Sequence, residues 1–356
     1  MSFKRFIGIF TGIIVIFLLA NFALWKGATE VLLTNVYDGG DLARISYLNG
    51  FKHPRKNVVD LPRRHELLTD FSKQYDLLNI GDSFSLGIGG GRNLFYQDYI
   101  ASSSNIRVAS LAIYPTDDAV AGLSPLTVLI QLCNSGLLDT VKPRYVLIES
   151  AQRYCIQRFA RTFDFGMQEP REKIEGFHRH KQYSFDFLPP VSFMNDGNFK
   201  YLYHNLIYRL IGHSIKVPSF RLTRRVFSIP WGDRLIVLPE EVSNVADATP
   251  ASVGLMNDNL NRMAEILRHK GIQLVFMPVV DKYELYRDLV VEADSARAPR
   301  SVFFQELRKL PKTYRFIDTK ALLDDELKHG ELDIYYADDS HWSWKAPQKI
   351  FETERF

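Results

Sequence analysis

The chain has 356 residues, 46% of them hydrophobic and 24% charged, a globular composition long enough for one large domain or two ordinary ones. Its formal net charge is +3, with acidic and basic residues interspersed, so it lacks the electrostatic footprint that binding to a phosphate backbone requires, which argues against nucleic acid as a partner. Two cysteines, Cys133 and Cys155, are too few for a disulfide framework. An oxidising compartment would permit one bridge, but packing is the simpler reading of both.

The first predicted element is Phe6 to Trp25, FIGIFTGIIVIFLLANFALW, an uncharged apolar run preceded by Lys4 and Arg5. As a helix it spans about 30 Å, the thickness of a bilayer core. The flanking cations predict a cytoplasmic tail over 1–5, a transmembrane anchor over 6–25 and an exported remainder. A cleaved signal peptide is the alternative, although the run exceeds the usual apolar region of one. Residues 26–70 read as a polar lead that lifts the domain off the membrane.

From Asp76 onward, strand and helix signals alternate. DLLNI (76–80), RVASLAI (107–113), YVLIES (145–150), IQLVFMP (272–278) and YRFID (314–318) are short apolar runs with turn punctuation, expected as strands. LTVLIQLCNSGLLD has apolar residues at helical spacing. LMNDNLNRMAEILRHKG places Leu260, Met263, Ala264 and Leu267 on one face and ends at Gly271. The alternation predicts an α/β fold, a mostly parallel sheet covered by helices, over 71–356. Periodicity fades between about 159 and 251, which reads as an insertion or cap. Within it, His178 and His180 in FHRHK have no third ligand at suitable spacing and read as a solvated basic loop. The aromatic run Tyr201 to Leu210, YLYHNLIYRL, could face lipid or sugar, but such a stripe is more often core.

The chemistry-bearing stretch is Leu77 to Gly91, LLNIGDSFSLGIGGG. It fails the Walker A pattern, because no Lys-Ser or Lys-Thr follows the glycines. It also fails the dinucleotide fingerprint, because Arg92 stands where the last glycine should fall. The glycines read as a turn beside a site. Ser83 is left at the carboxyl end of a parallel strand, where open α/β sheets place their ligands. A nucleophilic serine needs a base, and the base needs an orienting acid. The C-terminal stretch YYADDSHWSWK supplies Asp338, Asp339 and His341. Asp82 reads as a cap or backbone partner. Glu149 and Arg153 form either an ordinary ion pair or part of the site.

Gly81-Asp82-Ser83 together with Asp338-Asp339-Ser340-His341 resembles the SGNH (GDSL) hydrolase superfamily. Asp339-Ser340-His341-Trp342, with Met277-Pro278, Lys282 and Tyr286, is similar to its alginate O-acetyltransferase-like branch, which can also carry its Asp-His element before its serine. The resemblance implies an SGNH-like three-layer sandwich and a triad in which Ser83 attacks an acyl donor, His341 moves the proton and an aspartate holds the imidazole. Asp338 fits the general spacing of the superfamily and Asp339 that of the branch, with Trp342 favouring Asp339. The glycine and asparagine that complete the oxyanion hole in the superfamily have no counterpart here. The donors expected in their place are the Ser83 N–H, an amide near Ala109 or Ser110, and a side chain among Ser150, Gln152 and Arg153. Lys282 and Trp342 are expected to contact substrate.

The resemblance further implies a single-pass inner-membrane protein with its catalytic domain in the periplasm. It would O-acetylate an exported or cell-surface polysaccharide beside an integral-membrane acyl-donor protein. An esterase acting on acylated glycans and an inactive carbohydrate-binding or assembly protein are the alternatives. The chemistry calls for no metal or organic cofactor.

Overall fold

The computed structural model describes residues 2–34, 39–57, 59–112, 124–179 and 191–356. Ile113, His180 and the side chain of His178 lie outside the described residues. The described residues form eight strands: β1 (Glu66–Leu67), β2 (Leu77–Gly81), β3 (Val108–Ala112), β4 (Tyr145–Ala151), β5 (Ser219–Arg221), β6 (Arg234–Ile236), β7 (Gln273–Val279) and β8 (Arg315–Phe316). Six of them make one sheet in the order β1-β3-β2-β4-β7-β8, and all its neighbouring pairs are parallel. β5 and β6 pair separately as an antiparallel hairpin. The fold is therefore α/β.

The central strands are continuous apolar runs because helices cover both faces of the sheet. Alternation along the strands separates those faces. On one, Asn79 of β2 meets Tyr96 of the Tyr96–Ser104 helix, and the Tyr96 ring stacks on Phe351 of the Lys345–Thr353 helix. On the other, Phe276 of β7 packs edge-on against Phe159 of the Gln152–Phe159 helix. Leu260, Met263, Ala264 and Leu267 are buried along the Pro250–Arg268 helix. That helix starts earlier than its apolar spacing announces, because Thr249 Oγ1 accepts the Ser252 N–H and Pro250 suits the first turn. Pro278 is tolerated in β7 because β8 pairs only with Val275 and Phe276. Cys133 and Cys155 are buried free thiols.

The segment 26–70, expected as a polar lead, is instead built into the domain. Leu42, Phe51, Leu61 and Leu68 are buried, and β1 adds an edge strand beside β3. The aromatic run at 201–210 departs from expectation in the opposite sense. It lies on the Asp196–Ile211 helix, and only Tyr208 and His204 of that run are buried. The N-terminal helix Phe3–Leu24 continues through Thr34 and is long and apolar enough to cross a membrane.

Below the C-terminal end of β2, Gly81 is pressed between strand and turn. A Cβ there would stand 1.9 Å from Ser85 Oγ and 2.4 Å from Glu149 Oε2, both buried and hydrogen-bonded to each other. We expect Gly81→Ala to cost about 1–3 kcal/mol. Urea unfolding of the variant checks this, and an unchanged midpoint would show that the turn can yield.

Candidate active site

The site forms where the C-terminal ends of β2, β4 and β7 meet the loop at 336–344. Two buried carboxyls shape the turn after β2. Glu149 Oε2 accepts the Asp82 N–H at 3.0 Å and the Ser85 hydroxyl at 2.7 Å. Asp82 Oδ1 accepts the Phe84 N–H at 3.2 Å, and its Oδ2 accepts the Ala151 N–H and Arg158. Desolvation and the nearby Asp82 charge push Glu149 well above the carboxylate range. Burial would raise Asp82 as well, but Arg158 and the Ala151 N–H outweigh it and hold that carboxyl low. With the amides on either side engaged, the Ser83 N–H makes no hydrogen bond among the described residues.

Ser83 Oγ lies 2.8 Å from His341 Nε2, and His341 Nδ1 lies 2.7 Å from Asp339 Oδ1. An ionised carboxylate can only accept, so Nδ1 carries the proton and Nε2 is left to accept from the Ser83 hydroxyl. Asp339 Oδ1 also accepts the His341 N–H at 2.9 Å; its Oδ2 accepts the Asp41 N–H at 3.2 Å and faces Arg55 Nη2 at 3.5 Å. Burial alone would raise Asp339, but the His341 bond and charge, with Arg55, lower it below the usual range. For His341, burial lowers the pKa and Asp339 and Asp41 more than compensate, so it lies above the ordinary histidine value.

The two competing aspartates separate cleanly. Asp338 does not touch the imidazole: it pairs with Arg55 Nη1 at 2.5 Å and accepts the His53 N–H at 2.9 Å. Burial pushes it up to about 6 against the opposing Arg55 charge. His53 Nδ1 accepts the Ala337 N–H, and burial lowers its pKa to about 4, which keeps it a neutral acceptor.

Several other expectations are corrected. Ala109 and Ser110 lie inside β3 opposite Leu78 and Asn79, short of the strand end where Ser83 sits. The Ser110 hydroxyl is taken up by Asn79 and Gln97. The stretch after β3, 113–123, lies outside the described residues. Ser150 Oγ accepts from Arg158, and Gln152 Oε1 accepts the Asp281 N–H. Arg153 pairs with Asp281 at 2.5 Å, not with Glu149. Lys282 is fully buried, and its ammonium donates to the carbonyls of Ala337 and Asp339 at 2.9 and 3.1 Å. It holds the His341 loop from beneath, and burial lowers its pKa to about 8. Trp342 packs its ring against Phe84 and Tyr96.

Asp41 and Arg55 escaped the sequence reading, and Gly89 was read only as part of a turn beside the site. Asp41 accepts the Ser340 N–H at 2.7 Å and the Ser340 hydroxyl at 2.5 Å, and its carboxylate lies 3.8 Å from His341 Nδ1. Arg55 bridges Asp338, Asp339 and the Gly89 carbonyl. Gly89, with φ at +112°, brings the glycine turn so close that an added Cβ would stand 3.0 Å from His341 Cβ. The turn motif hinted at Gly89, but nothing in the spacing links positions 41 and 55 to the C-terminus.

Ligand atoms of Asp41, Asp339 and His341 lie within 4.8 Å of one another, as a metal site would require. Each is already engaged, however: Asp41 with Ser340, Asp339 with His341, and His341 with Ser83. The arrangement is a hydrogen-bonded relay that can draw a proton from Ser83.

Residues 240–349 match the family model of the SGNH hydrolase-like domain of the acetyltransferase AlgX. The matched segment contains Asp339, His341, Lys282 and Trp342, and Ser83 lies outside it. It supports hydrolase or acyltransferase chemistry in general. No curated protein and no solved structure matches the chain.

We expect His341 to titrate above an ordinary histidine, because Asp339 and Asp41 outweigh the effect of burial. Because its pKa is raised on folding, the stability it contributes is complete below the unfolded value and is lost as pH rises through the folded one. Asp339→Asn should bring the titration down and Asp338→Asn should move it far less, as followed by NMR of the imidazole. Equal shifts in both variants would contradict the assignment of Asp339.

Proposed function

We propose that the chain is a serine acyltransferase, anchored in a membrane by its N-terminal helix, that O-acetylates an exported or cell-surface polysaccharide. The observation that carries this reading is the continuous Ser83, His341 and Asp339 relay, with contacts of 2.8 and 2.7 Å. The match of residues 240–349 to the domain of an acetyltransferase supports transfer of an acetyl group. The apolar helix Phe3–Thr34 supports the anchor, an inner-membrane location and an extracytoplasmic domain.

In the first half-reaction Ser83 Oγ attacks the acyl carbonyl of a donor ester while His341 Nε2 takes the hydroxyl proton. The tetrahedral oxyanion is met by the Ser83 N–H, which the turn leaves unengaged among the described residues. His341 returns the proton to the departing alcohol, leaving acyl-Ser83. In the second half, His341 takes the proton of an acceptor hydroxyl, whose oxygen attacks the acyl carbon. Ser83 leaves with that proton, and the ester has moved to the acceptor. Asp339 keeps the imidazole in the working tautomer and offsets its transient charge. The chain supplies the nucleophilic hydroxyl, the imidazole and the carboxylate; the donor brings the acyl group and the acceptor brings the second hydroxyl. The acceptor would be a glycan and the donor's carrier an integral-membrane protein beside the anchor.

Intact mass spectrometry after incubation with an acetyl ester should reveal a protein heavier by one acetyl group, absent in Ser83→Ala. Addition of an oligosaccharide should discharge the adduct into acetylated sugar. Release of free acetate alone would identify an esterase, and binding of glycan with neither adduct nor turnover would overturn the reading. Asp339→Asn should lower kcat by roughly 10³- to 10⁴-fold. It should also move the acid limb of kcat/KM to lower pH, following the fall in the His341 pKa.

A further inference from the structure

Among the described residues, the Asp196–Ile211 helix leaves one apolar face largely exposed. Phe199, Leu202, Leu206 and Leu210 on that face are 55–73% exposed, and Tyr203 beside them is 46% exposed. Their spacing puts them on a single stripe, with Lys200 and Arg209 at its two borders. The opposite face is engaged: Asn198, His204 and Tyr208 are buried, and Tyr208 packs against Phe51 and Trp231. A stripe of this width, bordered by cations, is the pattern of a helix lying in a membrane interface.

The second observation is where the stripe sits. Asn198 Nδ2 donates to Asn21 Oδ1 at 3.2 Å, Asn198 Oδ1 accepts from Thr29 at 2.5 Å, and Phe193 packs edge-on against Phe22. These contacts set the start of the stripe beside the last turns of the N-terminal helix. Between the two helices lies an apolar notch of about 890 Å³, lined from one side by Phe17, Ala20 and Leu24 and from the other by Phe199 and Leu202. Among the described residues, Phe17 and the large apolar side chains before it are exposed. Whatever medium surrounds that end of the N-terminal helix therefore also surrounds Phe199 and Leu202.

We infer that the Asp196–Ile211 helix lies in the outer headgroup and acyl boundary of the bilayer, as a second membrane contact beside the N-terminal span. This rests on the anchor in the reading above. Acyl chains fill the notch, and Arg209 reaches the lipid phosphates, while Lys200 at the other border is paired with Asp196 at 2.5 Å. The buried face of the same helix fixes the domain's attitude, because Asn205 donates to the Tyr47 carbonyl at 2.6 Å. Tyr47 closes the Asp41–Ser46 helix, whose Asp41 contacts the His341 loop. The helix thus holds the candidate site at a set height over the lipid instead of letting it swing on a tether.

The full chain is reconstituted at one copy per nanodisc of phosphatidylcholine and phosphatidylglycerol carrying acyl-chain bromines. An environment-sensitive fluorophore is attached at Leu206→Cys, Ile14→Cys or Glu265→Cys, Cys133 and Cys155 being buried. Emission at Leu206→Cys and Ile14→Cys should be quenched relative to unbrominated lipid, and emission at Glu265→Cys should be unchanged. Quenching at Ile14→Cys without quenching at Leu206→Cys overturns the second contact and leaves the anchor standing, the stripe then facing a protein or a second copy. Quenching at Leu206→Cys alone keeps the lipid contact and removes the anchor. Quenching at neither overturns both.

Discussion

The Asp339 carboxylate is the constraint from which the site's construction follows. It carries a charge with no exposure to solvent, and a buried charge is tolerated only when it is paired and hydrogen-bonded on all sides. Its partners come from two segments: the Asp41 N–H and Arg55 from near the N-terminus, and the His341 amide and ring from near the C-terminus. Neither segment can leave without stranding the charge. Closure of residues 39–57 onto the loop at 336–344 is therefore coupled to the ionisation state that the imidazole needs. Arg55 extends the same coupling to the glycine turn through the Gly89 carbonyl.

Two pairs of neighbouring carboxyls are pushed in opposite directions. Asp82 is lowered and Glu149 raised beneath Ser83; Asp339 is lowered and Asp41 raised around His341. Like charges this close in a desolvated setting cannot both be held cheaply, so the member with the cation or imidazole keeps the charge. Beneath the serine, the consequence is structural: a charged Asp82 clamps the turn to Ala151 and Arg158, and Glu149 braces Asp82 and Ser85. Around the histidine it is electronic. Asp339 polarises Nδ1, and Asp41, 3.8 Å from Nδ1, accepts the Ser340 N–H and hydroxyl.

Local signals were the legible ones. The runs at 76–80, 107–113, 145–150, 272–278 and 314–318 each overlap a strand, and the central ones are apolar because parallel strands buried on both faces must be. Ser83 and His341 were legible because a strand end and a carboxylate-rich loop each advertise themselves within a few residues. Asp41 and Arg55 were not, since their roles arise from contacts some 300 residues distant and no local pattern encodes such closure. β1 was missed because it is two residues long and both, Glu66 and Leu67, are exposed. The oxyanion-donor expectation at Ala109 and Ser110 failed on register: a parallel strand offers a ligand the residues at its end, and these two are opposite Leu78 and Asn79. Lys282 and Trp342, expected to contact substrate, instead pack beneath and within the His341 loop, where both side chains are buried.

The aromatic stripe at 199–210 shows why periodicity alone misassigns surfaces. A one-sided apolar helix must face something nonaqueous, and sequence cannot distinguish a protein core from lipid. Here the neighbours supply the argument for the proposed lipid contact. The helix buries its polar and aromatic back, with Asn198, Asn205 and Tyr208 fixed on the lead and its surroundings, and turns its aliphatic front outward beside Phe17 and Leu24. The lead that continues from the N-terminal helix is also the segment that delivers Asp41 and Arg55 to His341. The proposed attachment and the alignment of the relay would thus both depend on the described residues 26–34 and 39–57. A change that loosens the Asn205–Tyr47 contact acts on both.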